Sequence, residues 1–373
     1  MKRISANLIM LAVLCVTVPR QAAAQSLLGY DPGKQESSEE AVETGGPFIS
    51  TRSFFVSNNL FNLEATAEFP VLGRLNPGEH NSPLPRDRVY AIYKRYDNAL
   101  STRVCDHAYP FQQNNRAIDQ YLLGFEKTFH CERSSLELRM PLLNTGNSQF
   151  ACFGSDDASI GNLGIIGKRL IHGNRCNPIS IGCALTVPTG DDTTFSIVDQ
   201  QFRFRNESVH LMPFLAMMRQ TASRRSYLIS FATVDLPLGG NGVEFTAPAM
   251  GTQNLGGLDD QSLLYLDVAL GHWLHRDLSN PFLIGLALQA ELHYAGSLES
   301  ADSLSGVIPG AGWNTQFAFG NSRGQFDNAL AAIMLYCELR NNVDLRVSGL
   351  FPMTGEDDRF FDSELIVALQ RRF

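Results

Sequence analysis

The chain has 373 residues, 44% of them hydrophobic and 18% charged, with 31 glycines, 17 prolines and a formal net charge of −8. A chain this long and this apolar can bury a sizeable core and is not disordered throughout. The acidic balance argues against a generic nucleic-acid binder, which needs clustered Lys and Arg, and past the extreme N-terminus no apolar run is long enough for a spanning helix.

The N-terminus comes first. Met1-Lys2-Arg3 is followed by an apolar stretch from Leu8 to Val18 and then by Ala22-Ala23-Ala24-Gln25. A positive start, a short apolar stretch and an A-x-A site predict a signal peptide over residues 1–24, cut near Ala24, with export by the Sec route. Six cysteines remain after cleavage, and none has CxxC or zinc spacing. Export permits disulfides.

Residues 25–87 read as a separate N-terminal leader, disordered or plug-like. Gln25 to about Gly46 is polar and acidic, and Phe48 to Leu75 is mixed, compatible with a short helix, a strand or a plug element. Asn76-Pro77-Gly78-Glu79-His80-Asn81-Ser82-Pro83-Leu84-Pro85 is a rigid, turn-rich entry to the remainder of the chain.

From Arg88 to Phe373 the pattern becomes regular. Twelve segments alternate apolar with polar or small residues: Arg88–Asp97, Ile118–Phe129, Arg133–Leu142, Ile160–Ile171, Ile179–Pro188, Ser208–Met218, Tyr227–Leu236, Ser262–Leu274, Phe282–Tyr294, Asn328–Leu339, Val343–Phe351 and Phe361–Phe373. Leu136-Glu137-Leu138-Arg139-Met140 and Val343-Asp344-Leu345-Arg346-Val347 make the period of two explicit, which is a strand signal. The connections alternate long and short, with Asn98–Ala117 long, His130–Glu132 short, Leu143–Ser159 long and so on to the end. An up-and-down transmembrane barrel with short periplasmic turns and long external loops produces that alternation, whereas a soluble Greek-key sandwich has no reason to. Pro141, Pro188 and Pro237 close three of the strands that run into long connections, 47 and 49 residues apart. That spacing is a hairpin-sized repeat in which proline stops the ladder.

The predicted fold is therefore all-β, a transmembrane up-and-down antiparallel barrel of about 12 strands (10–14). Lipid should cover Tyr121, Leu123, Phe125 and Phe129, with Gln120, Gly124, Glu126 and Thr128 turned inward. An even strand number brings both barrel ends to the periplasmic side, which suits a leader that never crosses the membrane.

The chain ends on Phe373 after Leu365, Val367 and Leu369 on one face. This resembles the C-terminal assembly signal of bacterial outer-membrane barrel proteins. Asn81-Ser-Pro-Leu-Pro-Arg-Asp-Arg-Val-Tyr90 with Asn98, and Leu123-Gly-Phe-Glu-Lys-Thr-Phe129, likewise resemble a pattern recurrent in uncharacterised, porin-like outer-membrane barrels. The resemblance covers about residues 81–373. It implies residence in the bacterial outer membrane, with lipid and the barrel-assembly machinery as partners, and it implies no activity.

The inward face carries both charge signs: Glu126, Glu137, Arg139, Lys168, Asp267, Glu291, Glu338, Asp344, Arg346, Glu364 and Arg372. Such residues either line a selective pore or pair with one another and fill a narrow lumen. Twelve strands lie between small filled barrels and wide channels, so both readings stand. The expectation is a narrow pore or transporter for a small solute, with a plugged structural or surface-binding barrel as the alternative and an outer-membrane hydrolase third. His272, His275 and His293 invite the hydrolase reading, but only His80-Asn81-Ser82 has the His-x-Ser spacing, and it precedes the barrel. No catalytic residue, metal or cofactor is indicated, nor any nucleic-acid partner, and no oligomeric state can be read. Asn162–Arg169 only superficially resembles a phosphate loop and reads as a strand, because Arg169 stands where Ser or Thr would hold magnesium. Asp191-Asp192 and Glu356-Asp357-Asp358 read as solvated loop tips. Cys105 and Cys152 fall in the first two external loops and are the best-placed pair for a disulfide.

Overall fold

The structure is a computed structural model that describes residues 51–58, 63–70, 74–106, 109–144, 153–155, 158–173, 176–197, 200–248, 250–310, 313–320, 325–354 and 361–373. The predicted signal peptide over residues 1–24, the acidic part of the leader, Cys152 and the Glu356-Asp357-Asp358 tip lie outside these residues.

The period of two becomes twelve strands. They are β1 (Arg88–Asp106), β2 (Tyr109–Phe129), β3 (Ser134–Asn144), β4 (Leu163–His172), β5 (Ile179–Val187) and β6 (His210–Gln220). The remaining six are β7 (Ser226–Pro237), β8 (Leu263–Arg276), β9 (Leu283–Ser297), β10 (Asp327–Leu339), β11 (Val343–Pro352) and β12 (Ser363–Arg372). Each pairs antiparallel with its neighbours, and β12 returns to β1 with Arg372 opposite Arg88 and Ser363 opposite Asp97. The sheet closes into a twelve-stranded barrel, as the alternation predicts. Closure leaves no edge along the wall, the condition for burying backbone N–H and C=O groups in hydrocarbon.

The alternation also sorts the faces. Tyr121, Leu123, Phe125 and Phe129 are exposed on the outside, Leu123 at 51%, while Glu126 between them is 0% exposed. Leu136, Leu138, Leu215, Leu292, Ile333 and Val347 continue the apolar outer face around the ring. Inside, several glycines lie under aromatic rings of the neighbouring strand. A Cβ on Gly124 would meet the Tyr90 ring at 2.0 Å, on Gly271 the Tyr227 ring at 2.1 Å, and on Gly182 the Phe214 ring at 2.1 Å. The rings lie flat over the bare backbone, which fills the inner wall and bends the strands.

The ends of the barrel differ. One carries short turns, such as the one over residues 130–133 and the 3-10 turn Arg340–Asn342. At the other end the connections are long, as expected, and most of them carry strands of their own among the described residues. Strands β1 and β2 run on through the expected loop 98–117 as one hairpin arm. Four of the other long connections hold further strands among the described residues. Phe153–Ser155, Thr193–Ile197, Gln200–Phe204, Gly240–Ala247 and Gly251–Asp259 form a separate five-stranded sheet. Ser303–Gly310 pairs with Trp313–Gly320, which pairs with Thr51–Asn58, then Leu63–Pro70, and then residues 101–106 of β1. The two sheets meet through phenylalanines: Phe202 and Phe204 lie 5.3 and 5.1 Å from Phe319 between ring centroids, and Phe245 lies 4.9 Å from Phe202. Chain edges that would otherwise stand unpaired in solvent satisfy one another and bury an aromatic core.

Candidate functional site: a lumen occupied by its own chain

Residues 74–87 lie inside the barrel and run its length. The turn-forming sequence sets their shape. Asn76 caps a turn by accepting from the Gly78 N–H at 2.9 Å, Glu79 N–H donates to Asn76 O at 3.2 Å, and His80 takes a left-handed φ of 54°. Gly78 is required there, since a Cβ would lie 2.3 Å from Asp267 Oδ2 and 3.0 Å from Phe231 Cβ.

The segment is held by polar contacts at three levels. At the long-connection end Arg74 pairs with Asp235 at 3.3 Å, and His210 bridges Asp235 at 2.9 Å and Asp260 at 3.3 Å. Midway, Asn76 donates to Asp267 at 3.2 Å, Lys94 donates to Glu79 at 2.6 Å, and Arg139 reaches Asn76 O at 3.2 Å. Towards the short turns Arg88 donates to His80 O at 2.9 Å, Lys168 to Ser82 O at 2.7 Å and Ser180 to Pro83 O at 2.5 Å. Asp87 closes the path, accepting from Lys127 at 2.7 Å and from the Thr128 N–H and hydroxyl at 2.6 Å. These hydrogen bonds hold the Asp87 carboxyl down at about 2.

Beneath the segment lies a buried charge network. Arg88 and Arg139 are each 1% exposed. Arg88 donates to Glu126 at 2.6 Å and pairs with Glu137 at 3.3 Å, Arg139 pairs with Glu137 at 2.7 Å, and Lys168 with Glu126 at 3.0 Å. Tyr90 adds a hydroxyl donor to Glu137, and Ser135 donates to Glu126 at 2.7 Å. Nearer the chain end Arg372 binds Glu338 at 2.8 Å and Asp344 at 3.1 Å, while Arg346 and Asp344 share Gln370.

All ten candidate lumen residues, Glu126, Glu137, Arg139, Lys168, Asp267, Glu291, Glu338, Asp344, Arg346 and Glu364, lie on barrel strands and are buried or half-buried. Most meet partners of opposite charge: Glu364 lies 3.7 Å from Lys94, and His293 sits between Asp267 at 2.8 Å and Glu291 at 2.9 Å. Between them and His80 a cavity of about 70 Å³ remains, with Ser348 and Arg346 on its wall. That is room for a few waters, not for an open channel. Arg88, Lys94 and His210 also face the lumen, beyond the charges the sequence pattern singles out. Period two could have found Arg88 and Lys94, because they alternate with outward Val89, Ala91, Tyr93 and Arg95.

The other candidates separate. His80-Asn81-Ser82 precedes the barrel in sequence but lies within its lumen, where Ser82 accepts from the Leu84 N–H at 3.2 Å. His272 is exposed on the outer face and shares a 2.8 Å hydrogen bond with Ser226, with no carboxylate on it among the described residues. Asp191 is exposed and accepts from the Ile160 N–H at 2.9 Å, and half-buried Asp192 accepts from Arg203 at 2.7 Å. Asn162–Arg169 leads into and forms β4. Cys105 lies on β1, whereas Cys152 is outside the described residues. Leu365, Leu369 and Phe373 face outward with Val367 half-buried beside them, and Phe373 stacks on Phe125 with ring centroids 6.0 Å apart.

No family model matches the chain, and no curated protein matches it. Solved structures do. An outer membrane channel from Pseudomonas putida F1 aligns with TM-score 0.50 at 10% identity over 80% of this chain and 100% of that one. This chain shares the barrel fold of that protein. The β domain of the Bordetella autotransporter BrkA aligns with TM-score 0.44 at 8% identity, over 77% of this chain and 100% of that one. The toluene transporter TbuX of Ralstonia pickettii gives 0.41 at 9%, over 80% and 93%.

Proposed function

We propose that this chain is an outer-membrane transport barrel for small solutes, held shut by its own segment Arg74–Asp87. An apolar outer face on a closed antiparallel wall suits lipid, and the C-terminal strand suits recognition by the barrel-assembly machinery. Short turns then face the periplasm and the stranded connections face outward. The observation that carries the closed-channel reading is the kind of contact that holds the segment. From Arg74 to Asp87 it is fixed by hydrogen bonds and ion pairs to β1 through β8, the contact to β6 being Arg74 with His210 at 3.4 Å. Polar contacts can be exchanged for water when the segment moves, and the apolar surface its departure uncovers includes the cluster of Ile166, Met212, Phe214 and Phe231 on which Leu75 packs.

The test is planar-bilayer conductance. Full-length protein should stay closed, with rare steps, and a variant that keeps the signal peptide but lacks residues 25–85 should conduct steadily. Retained heat-modifiable gel mobility would establish that the shortened barrel is folded. A folded variant that passes no current would sink the channel and leave a filled barrel whose external strands are the working part. The hydrolase reading has one contact in its favour, Ser226 with His272. Phospholipase activity lost in both Ser226→Ala and His272→Ala would revive it.

A further inference from the structure

The lumen segment has a direction. Its C-terminal end, Asp87, is tied to Lys127 and Thr128 beside the short turn over residues 130–133. Its N-terminal end, Arg74, is tied to Asp235, whose strand partner is Leu263 at the first residue of β8, on the side of the long connections. Fourteen residues span at most about 46–50 Å when extended, enough to cross an apolar band about 25 Å tall with the turn at Asn76–His80 included. Upstream, Thr51–Asn58 and Leu63–Pro70 pair as a hairpin, and this hairpin is hydrogen-bonded on both flanks at the long-connection end. Ser53 stands opposite Gly320 on one side, and Leu63 opposite Asp106 on the other. Both flanking strands belong to connections remote from the short turns.

We infer that the barrel carries its own N-terminal segment through its lumen, so that the hairpin Thr51–Pro70 stands on the cell exterior as a surface-displayed part of the cap. On this inference the leader crosses the membrane, contrary to the expectation that it stays in the periplasm. An even strand count places Arg88 at the periplasmic rim, but the chain ahead of Arg88 turns back into the barrel, and the ring of twelve paired strands leaves it no other way across. The hairpin supplies the two strands that join Trp313–Gly320 to the β1 arm, so the outer sheet is incomplete without it.

The inference rests on the outer-membrane reading and its orientation, and the experiment separates the two. An epitope is inserted after Asn58, between the hairpin strands, and in a second variant after Ser279, in the short turn between β8 and β9. Antibody binding is read on intact cells and on cells with a permeabilised outer membrane, with outer-membrane fractionation and heat-modifiable mobility recorded for each variant. The Asn58 epitope should bind antibody equally in both preparations, and the Ser279 epitope only after permeabilisation. Asn58 signal confined to permeabilised cells, or absent from both in a fractionated, folded protein, overturns the display of the hairpin. A Ser279 epitope reached in intact cells, or failure to fractionate with the outer membrane, overturns the orientation or the location on which the inference stands.

Discussion

Glu137 and Arg139 are two residues apart on β3, both 1% exposed, and joined at 2.7 Å. Replacing Glu137 with Leu strands Arg139, whose one other hydrogen bond among the described residues is to Asn76 O at 3.2 Å. It also removes one of the two carboxylates that balance Arg88, Arg139 and Lys168. Breaking a buried pair from one side costs about 3–5 kcal/mol, so Glu137→Leu should lower the folding equilibrium constant by roughly two to four orders of magnitude. Arg139→Met leaves Glu137 bonded to Arg88 and Tyr90 and should cost less, about 1–3 kcal/mol. The double variant removes both charges, and its cost should fall short of the sum by at least about 1.5 kcal/mol, within the range of direct coupling. Urea unfolding from phospholipid vesicles, followed by tryptophan fluorescence, gives all three numbers. A double variant as costly as the two singles together would refute the pairing and the idea that charge balance shapes this end of the lumen.

Three further outcomes can be checked. Gly78→Val puts side-chain carbon within 2.3 Å of Asp267 Oδ2, so the segment must shift off Asp267; more frequent conductance steps than wild type are expected, with a stability loss of about 1–3 kcal/mol. Phe319→Ala empties the centre of the aromatic cluster it shares with Phe202 and Phe204. The cap should lose about 3–5 kcal/mol and become protease-sensitive while the wall keeps its heat-modifiable mobility. Asp87, held at about 2 against an ordinary 3.8, contributes stability that is full above about pH 4 and is lost as pH falls through 2. Asp87→Asn should therefore flatten the acid limb of the unfolding profile between those values, and an unchanged limb would dissociate Asp87 from the anchoring of the lumen segment.

The wall was legible in the sequence because membrane barrels write their geometry locally. Along Leu136-Glu137-Leu138-Arg139 a one-residue slip would turn two buried charges to lipid, so the register is fixed by the residues themselves. Even Asn162–Arg169, with its spurious likeness to a phosphate loop, reads as strand once the period is counted. The cap was not legible. Thr193–Ile197 and Gln200–Phe204 are only five residues each, and they form strands because other connections lie beside them. Nor could the path of Asn76–Pro85 be read, since its prolines, glycine and polar side chains look the same in an exposed turn as in a lumen. Its partners Lys94, Arg139, Lys168, Ser180 and Asp267 lie 15 to 191 residues away.

The seam between β1 and β12 has a consequence for the order of assembly. The C-terminal Phe373 N–H meets Asp87 O at 3.3 Å, so the last residue of the chain and the foot of the lumen segment arrive at one point. The ring of paired strands blocks entry from the side, so the segment, which contacts β1 through β8, reaches its seat either before the seam pairs or through an open end of the barrel. A fault at the seam should therefore unseat the foot of the segment, whereas loss of the segment should leave the seam able to pair.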